Sequence, residues 1–155
     1  PAPTVICAAV LSFLKITVAL VFMSPELWAY QGAAYTAVVG VGVATASFLA
    51  PASISGILTD IFPFLPKMLP GTYAVFSRSL ALLWGVQQVS LAGANVVLLQ
   101  NMTFEKFYYT KPFLGWFMAI PTVLVGVVLL KRSVVKSVRH FDSIEATHGS
   151  VSGNS

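Results

Sequence analysis

Four apolar runs, residues 5–23, 33–50, 73–99 and 113–130, take up most of the chain, and only Lys15 and Arg78 put charge inside them. Nothing else constrains the fold as much. A helix rises about 1.5 Å per residue and the hydrocarbon core of a bilayer is roughly 30 Å thick, so runs of this length can cross it. A segment in lipid must also satisfy its own backbone hydrogen bonds, which a helix does internally. Of the 155 residues, 57% are hydrophobic and 9% are charged, whereas a soluble domain is about one quarter charged. Mean hydropathy is +0.84. The sequence therefore predicts an all-α integral membrane protein, a four-transmembrane-helix up-down bundle. Residues 1–132 would form the membrane domain and 133–155 a polar C-terminal tail, with 147–155 having the composition of a disordered segment.

The connections between the runs differ in kind. Residues 24–32 carry Pro25, Trp28 and Tyr30, which suit a helix end at headgroup level. Residues 51–70 hold four of the nine prolines yet are rich in Ile, Leu and Phe. They predict a Pro-rich interfacial loop between helices 2 and 3, broken rather than spanning, with a short helix over 53–62. Residues 100–112 gather Phe104, Phe107, Tyr108 and Tyr109 and read as an aromatic belt at the opposite surface. Asn101, Met102 and Thr103 fit a glycosylation sequon, but one set hard against the membrane, where a transferase has poor access. Pro121 is expected to kink the fourth helix.

Four crossings put both termini on one side. Lys67, Arg78, Lys131, Arg132, Lys136 and Arg139 fall on that side, against Lys106 and Lys111 on the other. The positive-inside rule then assigns both termini to the cytosolic, matrix or stromal side.

In lipid, small and polar residues face other helices. Residues 73–99 carry such a stripe: Arg78, Ala81, Gly85, Gln88, Ala92 and Asn95, in steps of three and four. Similar stripes run through Ala8, Ser12, Lys15 and Ala19; through Ala33, Ala37, Gly40, Ala44 and Ser47; and through Gly115, Ala119, Thr122 and Gly126. The expected helix-packing positions are Gly40, Ala44, Ala81, Gly85, Ala92, Gly115, Ala119 and Gly126.

Three polar side chains stand out as candidate ligand-binding groups. Lys15 lies within the first run, where an amine costs about 2.5–3.5 kcal/mol on insertion scales. It has to snorkel, find acceptors, or lose its proton. Gln88 and Asn95 share the stripe of the third run, two turns apart. Their amides could contact a ligand or ligate the magnesium of a chlorophyll, though amides at such positions more often join helices, at roughly 0.5–2 kcal/mol each. If the first and third helices run in opposite directions, Lys15 and Gln88 lie at similar depth.

The sequence also excludes chemistry. Cys7 is the single cysteine, so neither an intrachain disulfide nor a CxxC redox site exists. His140 and His148 fall in the tail, which leaves no intramembrane histidine for haem or a metal. All five carboxylates, Glu26, Asp60, Glu105, Asp142 and Glu145, lie outside the apolar runs, so no buried proton relay forms. No phosphate loop, HExxH or GxSxG pattern occurs. No catalytic set results, and the chain leans away from an enzyme.

The expected function is a non-catalytic small integral membrane subunit packed within a larger membrane complex, with lipids and other membrane subunits as partners and no nucleic acid. The opening PAPT, without Met, suggests a removed targeting segment or a cut start. It points to an organellar energy-converting membrane, an inner membrane or thylakoid. The alternative is a small-molecule, lipid or pigment-binding membrane protein, or a small membrane enzyme, with Lys15, Gln88 and Asn95 lining its site. A third and weaker expectation is a subunit of an oligomeric channel or carrier.

Overall fold

The computed structural model describes residues 2–151, and side chains over 2–143. Every regular element among them is helical. Helix α1 is Ala2–Val21; a 3-10 turn at Trp28–Tyr30 leads into α2, Gln31–Leu49. Then come α3, Pro51–Ile61; α4, Leu65–Met68; α5, Tyr73–Asn101; and α6, Phe104–Val151. Four of these helices are long and apolar enough to cross a membrane, as a multi-pass integral membrane protein requires.

The prolines of 51–70 act as punctuation. Pro51 takes the first position of α3, where its missing N–H costs nothing and its fixed φ suits a helix. The short helix expected over 53–62 thus starts two residues earlier. Pro63 and Pro70 then bracket α4, with Pro66 in its first turn, and a tight turn follows. Gly71 closes that turn at φ 76°, a left-handed conformation that favours glycine.

The fourth apolar run is embedded in a much longer element. Residues 100–112 do not form a loop: only Met102 and Thr103 separate α5 from α6. Glu105 in the first turn of α6 complements the helix dipole. The helix runs on through Pro112 and Pro121. Each proline removes one backbone donor, which leaves the Tyr108 and Phe117 carbonyls without their usual partner four residues on. The expected boundary at 132 falls inside α6, because Leu129, Leu130, Val134 and Ser137 continue one packing face past Lys131 and Arg132. Of the segment expected to be disordered, 147–151 is described only as helix and 152–155 lies outside the described residues.

Helix α5 packs on α2, α3 and α6, most extensively on α2. It runs antiparallel to α2, with Gly85 beside Gly40 and Ala44, and antiparallel to α6, with Leu80 beside Gly126 and Thr72 beside Ser137. Helix α1 meets α2 and α3. Its ends are tied by the Thr4 hydroxyl to the Asp60 carboxylate, and by the Gln31 amide donating to the Phe22 carbonyl at 3.0 Å. A compact apolar cluster sits where α4, α5 and α6 converge: Leu65, Leu69 and Phe76 are buried, with Leu80, Leu129 and Val134 packed on them.

Candidate functional site

The interior has two polar regions, one of backbone contact and one of hydroxyls. In the first, glycines let α2 and α5 touch. A Cβ placed on Gly40 would lie 2.8 Å from the Gly85 carbonyl oxygen and 2.9 Å from the Gln88 Cβ. A Cβ on Gly85 would meet the Gly40 oxygen at 2.8 Å and Ala44 at 3.1 Å. Both glycines are buried, as is Ala92, and Ala44 and Ala81 are half-buried. Gly115, Ala119 and Gly126 are also half-buried, but a Cβ on Gly115 would meet nothing and one on Gly126 only Leu80, at 3.8 Å. Among the described glycines, only Gly40 and Gly85 mark so close an approach.

Gln88 is half-buried against this crossing. Asn95 is 5% exposed, and its buried Oδ1 has no hydrogen-bond partner among the described residues. That oxygen is an available acceptor for a hydroxyl or amide donor, since leaving it unmade costs about 1–3 kcal/mol. Lys15 does not join these two amides. It is exposed on α1, as are Ala8 and Ser12. The face α1 turns inward carries Cys7, Leu11, Leu14 and Val18 instead, again in steps of three and four. The three candidate ligand-binding residues are therefore not gathered into one pocket.

Two surface grooves flank α5. One, between α3 and α5, is lined by Pro51, Ala74, Val75, Arg78, Ser79 and Leu82. Above it the Arg78 guanidinium sits 4.4 Å from the centre of the Phe48 ring, a cation–π contact. The other groove is almost wholly apolar, with Ala33, Ala37, Ala92 and Gly93 among its lining and Phe22, Leu27 and Tyr30 at one side. Neither is lined by Lys15, Gln88 or Asn95.

The hydroxyl region joins α3, α5 and α6. Ser77, 1% exposed, donates to the Ala74 carbonyl at 3.0 Å, which leaves the Ser55 hydroxyl to donate to Ser77 at 2.7 Å. Tyr73 and Thr59 share the Ser55 carbonyl, each at 2.8 Å, and lie 2.8 Å from each other. Across the turn, Ser137 donates to the Pro70 carbonyl at 2.9 Å and accepts from Thr72 at 2.9 Å. These hydroxyls are bonded to one another and to carbonyls, the arrangement of a clamp rather than of a nucleophile with a base. Near it, the Thr4 hydroxyl holds the Asp60 carboxyl below its ordinary pKa.

Sequence reasoning missed this clamp, though a signal exists. Ser55 and Thr59, Tyr73 and Ser77, and Ser133 and Ser137 are three hydroxyl pairs spaced by four, each on one face of its helix. Tyr73→Phe removes the bridging hydroxyl at nearly constant shape. It should destabilise the docking of α3 by about 0.5–1.5 kcal/mol, read as faster backbone exchange over 51–61 with little change in α6. Unchanged exchange there would show that the bridge contributes nothing.

Among the described residues no three His, Cys, Asp or Glu side chains come together as a metal site would need. Compared with protein-family models, with characterised proteins and with solved structures, the chain matches none.

Proposed function

We propose that the chain is a non-catalytic integral membrane subunit that packs within a larger membrane assembly. What supports this reading is where its surface is spent. The interior hydroxyls are bonded within the clamp, and the glycine crossing is closed on itself. Yet the most apolar stretch of α6 has no buried residue, and Phe113, Trp116, Phe117 and Ile120 are all exposed. Two of the four long helices, α1 and α6, thus offer most of their length to whatever surrounds the chain. Native mass spectrometry after gentle extraction from the source membrane should release one complex of fixed stoichiometry. A monodisperse monomer that co-migrates with nothing rejects the proposal.

As a finer part of this reading, the four long helices form an up-down bundle, with the Pro-rich segment 51–70 lying in the interface and both termini on the cytosolic, matrix or stromal side. The antiparallel pairings of α5 and the basic cluster Lys131, Arg132, Lys136 and Arg139 support it. In a Cys7→Ser background, Lys136→Cys should react with an impermeant maleimide from that side, and Tyr108→Cys from the opposite one. Labelling of both from the same side would contradict the arrangement.

The second reading is a lipid- or pigment-holding protein. The observation that favours it is the Arg78 groove, where a guanidinium sits above an apolar track. A reproducible small-molecule mass on an otherwise single chain would select it.

A further inference from the structure

Resting on the subunit reading, a specific face of α1 identifies the chemistry of a partner. We propose that the Ala8–Ser12–Lys15 side of α1 is the docking face for a transmembrane helix of a different polypeptide, one that carries a carboxylate at the depth of Lys15.

α1 packs inward through Leu11, Leu14 and Val18, and leaves Ala8, Ser12 and Lys15 exposed. Lys15 lies about 20 Å from the first residue of α1 and about 9 Å from the last, at 1.5 Å per residue. A helical side chain leans toward the N-terminus of its helix. The ammonium of Lys15 therefore leans toward the middle of the span and away from the nearer surface, which opposes snorkelling. Hydrocarbon offers it no acceptor, and ionisable side chains within a membrane pair with one another or with backbone carbonyls, so a carboxylate on a neighbouring helix is the partner that best holds its charge.

No residue of the sequence supplies such a group at that depth. Lys15 makes no hydrogen bond or ion pair with another described residue. The carboxylates of the chain, Glu26, Asp60, Glu105, Asp142 and Glu145, all lie outside the apolar runs. A second copy in the same orientation brings its carboxylates at those same depths, so a homodimer leaves the charge unpaired. A helix from another polypeptide, bearing Asp or Glu opposite Lys15, pairs it. Ala8 and Ser12 on the same side allow that helix to approach closely.

The test uses the full chain in its own membrane. Wild type, Lys15→Arg and Lys15→Met are extracted gently and compared by native mass spectrometry, and a photoreactive amino acid at Ser12 is crosslinked in an otherwise unaltered chain. Lys15→Arg should keep the complex, and Lys15→Met should lower its recovery on the order of thirty-fold or more, as when one member of a desolvated charge pair is lost. The Ser12 crosslink should fall on a spanning helix whose Asp or Glu, exchanged for Lys, restores assembly with Lys15→Glu. Undiminished complex with Lys15→Met overturns the docking face and leaves the subunit reading standing. Absence of any complex from wild type removes the subunit reading and the inference with it. Crosslinks from Ser12 only to lipid, or only to a second copy of this chain, overturn the inference directly. The crosslink decides even if Lys15→Met fails to insert.

Discussion

Gly40→Val is expected to separate α2 from α5 and to destabilise the fold by about 3 kcal/mol, the upper part of the range for overpacking. The size follows from what the new side chain meets. Its Cβ alone would sit 2.8 Å from the backbone oxygen of Gly85, which cannot rotate away, and 2.9 Å from Gln88 and Val89 side-chain atoms. Two helix axes must therefore move apart, and every contact along the seam from Ala33 to Ser47 weakens with them. Gly42→Val is the matched control, since a Cβ there meets nothing within 4 Å. Reversible unfolding in mixed micelles compares the two. Equal stability of the two variants would mean that the crossing does not hold the helices together. Gly85→Val should reproduce the Gly40 effect, because the approach is reciprocal.

Leu69→Ala is expected to cost about 2–5 kcal/mol. Leu69 is 0% exposed and sits with Leu65 and Phe76 under Leu129, Leu130 and Val134 of α6. Removing its branch leaves a cavity at the one place where α4, α5 and the later part of α6 meet. The loss should be local as well as global: α6 beyond Lys131 should become accessible to protease and exchange faster, since Ser137 then holds on through Thr72 and Pro70 alone. Met68→Ala, at a side chain 51% exposed, should be nearly neutral. If both variants unfold alike, the cluster is not the anchor of α6.

The all-helical fold and its four long apolar helices were legible because lipid leaves a chain few alternatives. The faces were legible unevenly, and for physical reasons. Gly40 and Gly85 stand out because each sits in a stripe of small residues flanked by large ones. In α1 the Ala8–Ser12–Lys15 stripe and the Cys7–Leu11–Leu14–Val18 stripe are equally regular in spacing, and only packing shows which one turns inward. The length of α6 was hidden by Pro112, Pro121 and the aromatic cluster, which have the composition of a break. The hydroxyl clamp was hidden by distance along the chain, since Ser55 meets Ser77, and Thr72 meets Ser137, only after the helices have packed. To meet Gln88, Lys15 has to face it as well as share its depth, and Lys15 stands exposed on α1: depth fixes position along a helix axis and says nothing of rotation about it.

The partner of α2 has a consequence for synthesis. α2 lies chiefly against α5, and the two are separated in sequence by α3, α4 and the turn at Gly71. A ribosome adds about 5–20 residues per second. So Gly40 leaves the ribosome seconds before Gly85 does, and α1 and α2 reach the bilayer with the α2 seam uncovered. During that interval a pair of helices is held in the membrane with its best adhesive surface open to any neighbour. Correct assembly then depends on the order of arrival: α5 has to reach that surface before a foreign helix does. An insertase or chaperone that shields the Gly40 face until α5 emerges would raise yield without altering the final fold.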